Sequence, residues 1–230
     1  MKKKISKRFK KILDSSKDKK IESLDVAVKN VKNNCTVKFD ESIDVSFNLN
    51  LKQKKEEVSI RTLVNLPNGN GKKIKIAVLC EESKIDEAKK SGADIYDSEK
   101  IITDINNSKI NFDKLIATPL MMQKIGKLGK ILGPKGLMPN PKLGTVSNDL
   151  SNTVKAIKNG QIEVKNDKDG NLSASIGKKS FTDIKIIENF NSILEVLKKE
   201  KPTNIKGNFI QSAHLTSTMG VSYKLKLGSK

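Results

Sequence analysis

The hydrophobic period of this chain changes twice, and that switch constrains the fold more than any other feature of its 230 residues. Near the N-terminus Val37, Phe39, Ile43, Val45, Phe47 and Leu49 alternate with polar residues, interrupted at Asp40-Glu41. A period of two predicts an antiparallel strand with one wet face, and the interruption predicts a bulge. Val58, Ile60, Val64 and Leu66 predict its partner strand, reached across the basic loop 52–55. Ahead of both, Ile5, Phe9, Ile12 and Leu13 are spaced for one face of a helix over 4–13, and Leu24, Val28 and Val31 for a second over 22–33. From Ile74 the texture becomes alternating strand and helix. It runs through a strand 74–79, a helix over 84–91, a short strand 94–96, a helix capped by Ser98 and a buried strand 115–117, with a further helix over 151–159. Short apolar strands separated by helices predict a parallel sheet of βαβ units. After Gly160 the period of two returns. Ile162 and Val164, then Leu172, Ala174 and Ile176, flank the turn 166–170 as a hairpin. Ile184, Ile187, Phe190, Ile193, Leu194 and Leu197 predict a long amphipathic helix stopped before Pro202, and two last strands, 208–217 and 221–227, meet at Met219-Gly220.

Clusters of breakers at 66–71 and 158–160 mark the changes of period. Neither end alone supplies enough strands to cover a core. The expected architecture is therefore a discontinuous α+β domain from residues 1–67 and 160–230, with an α/β domain, 68–159, inserted into it. Two chain crossings of this kind permit hinge motion.

Lysine and arginine exceed aspartate and glutamate 45 to 26, a net charge of +19, and only Arg8 and Arg61 are arginines. Such a surplus favours a polyanionic partner, nucleic acid before an anionic membrane. Lysines hold phosphates as point charges rather than through planar forks. Within the inserted segment, residues 119–159 carry seven lysines against one acid, Asp149. No apolar run approaches the ~20 residues of a membrane span, and lysines interleave the apolar residues of the N-terminus, which excludes a signal-peptide core. The expected setting is soluble and reducing, with Cys35 and Cys80 as small core residues.

Two cysteines and the single histidine, His214, cannot build a metal cluster. Gly69-Asn70-Gly71-Lys72 lacks the spacing of a phosphate-binding loop and has Lys73 where a hydroxyl would hold magnesium; Gly129, Gly133 and Pro134-Lys135 miss it as well. Asp167-Lys168-Asp169-Gly170 begins like a calcium loop, but no closing glutamate follows, so an ordinary turn is expected. His214 falls in an alternating strand with no serine or cysteine partner identifiable by sequence. Neither a catalytic site nor a cofactor is expected.

Two segments exceed a purely structural reading. Residues 126–146 hold five glycines, three prolines and four lysines. A structureless loop of that length inside a domain is uncommon and tends to be functional, and glycine lets backbone amides approach an anion. The second, 212–220, sets Ser212, Thr216, Ser217 and Thr218 around a turn. Such hydroxyls can contact phosphate, or the ribose hydroxyl that separates RNA from DNA. Among the nine aromatics, Phe39 is the one placed at a strand break beside Lys38, where its ring can be partly exposed for stacking.

The same residues carry a resemblance. Leu128-Gly129-Lys130-Ile131-Leu132-Gly133-Pro134-Lys135-Gly136-Leu137-Met138-Pro139-Asn140-Pro141-Lys142, followed by Gly144-Thr145-Val146, is closely similar to the signature of the bacterial large-subunit ribosomal protein L-one family, the protein of the mobile stalk beside the tRNA exit site. Lys38-Phe39-Asp40-Glu41, Leu66-Pro67 with Gly69 and Gly71-Lys72, Ala93-Asp94, Ala117-Thr118-Pro119, Asn166-Asp167-Lys168, Lys206-Gly207 with Phe209, and Thr218-Met219-Gly220 extend it, in order, over essentially the whole chain. The resemblance implies that the inserted domain is Rossmann-like with three layers, and that the discontinuous domain binds a folded segment of large-subunit ribosomal RNA. It implies contacts from Lys38, Phe39 and Ser42 on one strand and from Ser212, Thr218, Met219 and Gly220 on another, with Arg61 and Thr216 beside them. Lys130, Lys135 and Lys142 of the proline–glycine loop become a secondary RNA contact. Further implied partners are exit-site tRNA, whose release the protein assists, and its own messenger RNA, whose translation it represses. The implied protein is a monomer when free, cytoplasmic and on the ribosome, with no membrane partner.

The chain departs from the family pattern at 57–62, where Glu57-Val58-Ser59-Ile60-Arg61-Thr62 keeps the arginine but loses a glutamine and a glycine, and at Val26, Asn68 and Val221. Ser42 replaces a frequent threonine and keeps the hydroxyl. Two other readings predict differently. A nucleotide-dependent enzyme needs a phosphate loop and acid–base residues, and a general binder of anionic surfaces would be displaced by bulk tRNA or DNA at moderate salt.

Overall fold

The computed structural model describes residues 5–16, 21–50, 60–202 and 207–227. The chain falls into two compact units, Met1–Gly71 with Ile162–Lys230, and Lys72–Gln161. In chain order the elements begin with α1 (Lys7–Ser15), α2 (Leu24–Asn33), β1 (Ser42–Leu49) and β2 (Arg61–Asn65). The second unit holds β3 (Ile76–Leu79), α3 (Ile85–Lys90), α4 (Ser98–Asn106), β4 (Lys114–Ala117), α5 (Met122–Gly126), α6 (Gly129–Leu132) and α7 (Leu150–Lys158). The chain then continues through β5 (Gln161–Lys165), β6 (Asn171–Lys178), α8 (Asp183–Lys199), β7 (Ile210–Ser217) and β8 (Tyr223–Leu225).

The first unit is built on β1. Its alternation is complete: Ile43, Val45, Phe47 and Leu49 are buried, and Ser42, Asp44, Ser46 and Asn48 lie on the other face. It sits inside an antiparallel sheet ordered β6-β1-β7-β8. Helices α2 and α8 cover the apolar face, where Phe47 and Phe190 stack with ring centroids 5.7 Å apart. Local signals set the helix starts: the Ser6 hydroxyl accepts from Phe9 N–H at α1, Ser23 and Thr182 stand at the N-caps of α2 and α8, and Asp25 and Asp183 lie in their first turns.

Several expectations change in this unit. Lys38 and Phe39 are not on a strand; residues 37–39 form a bend, and β1 begins only at Ser42. Register shifts lie between Ile43 and Asp44 on the β6 side and between Asn48 and Leu49 on the β7 side, rather than at Asp40-Glu41. β2 is not the partner of β1 but pairs with β5 in a separate two-stranded sheet; the expected strand residue Val58 and the loop 52–55 lie outside the described residues. The turn 166–170 therefore joins two sheets, and only the bridge Asn166↔Leu172 remains of the expected hairpin. On α8, Ile184 is 69% exposed, whereas Asn189 is fully buried. Asn189 accepts from Asn68 N–H (3.2 Å) and donates to Gly69 C=O (2.8 Å) and Ile176 C=O (2.7 Å). It thereby satisfies a carbonyl of edge strand β6 and holds the chain at 68–69 against the helix. Gly69 and Gly71 there adopt φ of 65° and 72°, conformations that favour glycine.

In the second unit β3 and β4 pair in parallel, Ile95 bridges β3 at Ala77, and Val146 bridges β4 at Ala117, also in parallel. The expected strand at 94–96 is thus a single bridging residue. Leu79, Ile101, Ile105, Leu115, Ile125 and Leu132 fill one side of this sheet and Ile76, Val78, Ile116, Leu150, Val154 and Ile157 the other, giving three layers. The N-cap of α4 is Asp97, which accepts from Lys100 N–H; Ser98 instead exchanges hydrogen bonds with Cys80 at the end of β3. The proline–glycine segment is not structureless. Residues 126–146 contain α6 and a 3-10 turn at Pro141–Leu143, and bury Leu128, Leu132 and Leu143.

Candidate nucleic-acid interface

One end of the four-stranded sheet is locked by reciprocal bonds between the start of β1 and the residue after β7. Ser42 N–H donates to Thr218 Oγ1 (3.1 Å), and Thr218 N–H donates to Ser42 C=O (3.1 Å), which the Thr218 hydroxyl also reaches (3.3 Å). The Thr218-Met219-Gly220 turn that follows is closed by Gly220 N–H on Ser217 C=O (3.1 Å). A Cβ at Gly220 would run into Ser217 Oγ, so the turn is drawn as tightly as glycine allows. The bend before β1 is held from the other side. Lys179 N–H donates to Glu41 C=O (2.8 Å), and the Asp40 carboxylate accepts from Ser180 N–H (3.1 Å) and hydroxyl (2.8 Å).

On this frame the apolar Phe39 and Met219 are left outside, 52% and 46% exposed, with Lys38 also exposed. Phe39 and Met219 are two of the large apolar side chains that the described surface exposes, and these two flank the Ser42–Thr218 bonds. Thr216 lies on the polar face of β7, opposite Asp44. Ser212 shares that face but pairs with Asn48 at the far end, six residues and ~20 Å of strand from Thr218. The structure thus brings together Lys38, Phe39, Ser42, Thr218, Met219 and Gly220, and sets Ser212 apart. Arg61 stands on the separate β2–β5 sheet, its Nε donating to Glu163 Oε1 (2.6 Å). Lys130, Lys135 and Lys142 are exposed in the second unit.

Sequence reading missed the middle of the polar face. Ser46 and Ser173 hydroxyls lie 3.0 Å apart, and Asn48 Nδ2 donates to Asn171 Oδ1 (2.8 Å). Alternation alone places Ser46 and Asn48 outward, but only the register shows which residues they meet. His214 faces Ser46 on β1 and Lys224 on β8. Burial, reinforced by the Lys224 charge, holds its imidazole below the ordinary 6.5. The unfolded chain therefore takes up this proton first, and the native state loses stability as pH falls through 6.5 toward the lowered folded value. Chemical unfolding from pH 8 to 5 should show that loss, and His214→Gln should flatten it.

Groups suited to catalysis are spent elsewhere. Burial pushes both thiols up, Cys35 and Cys80, away from the reactive thiolate. At Cys35 the Ser217 hydroxyl opposes the rise and the Glu41 charge adds to it. Asp167 closes its own turn by accepting from Asn171 N–H (2.6 Å) and Asp169 N–H (3.0 Å), and the Asn171 backbone bond in particular holds its carboxyl below the usual range. Among the described residues no cluster of histidine, cysteine and acidic side chains could hold a metal ion, and no helix is long and apolar enough to cross a membrane.

Comparison with known proteins places the whole chain in a family. Residues 31–221 match the Ribosomal protein L1p/L10e family. The chain is 56% identical over 224 residues to the large ribosomal subunit protein uL1 of Pelagibacter ubique (strain HTCC1062), covering 97% of this chain and 98% of that one. It is 44% identical over 203 residues to the large ribosomal subunit protein uL1 of Rickettsia akari (strain Hartford), covering 88% and 85%. This chain belongs to the ribosomal protein L1 family, as a bacterial-type, non-enzymatic constituent of the large ribosomal subunit.

Proposed function

We propose that the first unit grips a folded segment of large-subunit ribosomal RNA, the stalk, at the Ser42–Thr218 lock. The observation that carries this reading is the lock itself: a corner held by backbone and hydroxyl bonds, presenting Thr218, Met219 and Phe39 beside an extended hydroxyl and amide face. Lysines supply salt-dependent affinity that is indifferent to sequence, and the fixed polar and apolar groups select a shape. Lys130, Lys135 and Lys142 add secondary contacts from the second unit. On the ribosome, in the cytoplasm, the second unit swings to help deacylated tRNA leave the exit site. A messenger RNA segment that mimics the stalk occupies the same corner and represses translation of the protein's own message.

Binding of a stalk RNA fragment and of a scrambled-fold RNA of equal length should be compared at about 0.2 M salt, where the charge-only contribution is largely suppressed. The stalk fragment should stay bound while the scrambled RNA falls toward the ~10⁻⁴–10⁻⁶ M of non-specific association. Equal, weak binding to both would leave only a general polyanion binder. The protein's own message should displace the stalk fragment competitively, and simultaneous binding of both would remove the repressor role. A cross-link locking the two units should slow tRNA release; an unchanged rate would remove the swing.

A further inference from the structure

Met219 is held through its backbone from two sides. Its N–H donates to Glu41 Oε2 (3.0 Å), and its C=O accepts from Arg8 Nη2 (3.0 Å). The two side chains reach it from distant parts of the sequence, Arg8 from α1 and Glu41 from the residue before β1. Glu41 is fully buried, and besides Met219 N–H its side chain acts on the buried Cys35 thiol. Burying a glutamate side chain is costly, and its removal would strand Met219 N–H, so the position ties the core to the turn. A side chain without exposed surface cannot touch RNA. What it does have is a fixed position, because its own C=O is tied to Lys179 N–H and the next residue is locked to Thr218. Arg8 is anchored as well, by Nη1 on Thr36 Oγ1 (3.3 Å).

We propose that Glu41 is a positioning residue for RNA recognition, setting the orientation of the Thr218–Gly220 turn through Met219 N–H while Arg8 holds the carbonyl of the same residue. The proposal rests on the reading of that turn as an RNA contact. A charged acceptor makes the stronger bond to an N–H, but reach is what fixes the turn. Glu41→Gln keeps the reach and loses the charge; Glu41→Asp keeps the charge and withdraws the oxygen by one methylene.

The test uses the full chain, the stalk fragment and the scrambled RNA at about 0.2 M salt, with amide hydrogen exchange read at Met219. Glu41→Gln should bind the stalk fragment within about threefold of the unsubstituted protein. Glu41→Asp should lose about tenfold, with scrambled-RNA binding and salt slope unchanged and faster exchange at Met219. Asp and Gln variants that weaken equally, or an Asp variant that binds normally while Met219→Ala does not, overturn the proposal. Normal binding by Met219→Ala sinks the RNA-contact reading instead, whatever Glu41 does. Should Glu41→Asp fold poorly, seen as a lowered melting temperature, Arg8→Gln on the surface of α1 carries the test. It should speed Met219 exchange and weaken stalk binding about threefold, and a variant unchanged in both overturns the proposal.

Discussion

Thr218→Val should release the stalk RNA fragment while leaving the protein folded. Valine keeps the shape of threonine and removes the oxygen that accepts Ser42 N–H and reaches Ser42 C=O. Thr218 is exposed, so water replaces the hydroxyl on Ser42 and the fold loses within about 1 kcal/mol. In the proposed complex water is excluded from that corner, and the same deletion costs about 1–3 kcal/mol, roughly fivefold to 150-fold in Kd. Met219→Ala should weaken binding comparably, through lost apolar contact. Neither residue carries charge, so both variants keep the salt slope, whereas Lys38→Ala lowers it by about one phosphate's worth. Titrations at several salt concentrations separate the two classes. A Thr218→Val protein that binds as tightly as the unsubstituted chain would remove the lock from the site.

The second large effect lies inside the first unit. Asn189→Leu should lower its stability by about 3 kcal/mol or more, because it strands Asn68 N–H, Gly69 C=O and Ile176 C=O at once. For a chain of this size that is a fall of about 6–12 °C in Tm. Ile184→Asn on the same helix should stay within about 0.5 kcal/mol, since Ile184 is mostly exposed. Thermal unfolding of the pair decides between this arrangement and the one hydrophobicity alone suggests, in which Ile184 is core and Asn189 surface. The reversal has a physical cause. Near a helix start one apolar residue can be left outside the packed stripe, and an amide is admitted to the core wherever backbone groups of a neighbouring strand and a connecting segment need a partner.

The same contrast runs through the interface. Alternation from Ile43 to Leu49 is a local property, so β1 and its polar face were legible, as was the apolar character of β3 and β4. Pairing is not local. β1 bonds to β6 and β7, more than a hundred residues downstream, and nothing in its own sequence excluded the nearer β2. The bend at 37–39 was invisible for a related reason: its residues alternate as a strand would, and tertiary bonds from Asp40 and Glu41 to Ser180, Lys179 and Met219 pull it out of the sheet. The proline–glycine segment was singled out by composition, yet its helix and turn form because Leu128, Leu132 and Leu143 have a core to enter.

By itself, then, the amino-acid sequence determined the helix faces, the wet and dry sides of β1, the alternating texture of the middle segment and the basic charge of the surface, since each depends on residues a few positions apart. Tertiary structure decided which strands meet, that Ser212 stands a strand's length from Thr218, and that a buried glutamate and a distant arginine grip Met219. Those outcomes depend on bonds closed between segments far apart in the chain. Their partners are chosen by where the whole core packs, and no local pattern encodes that.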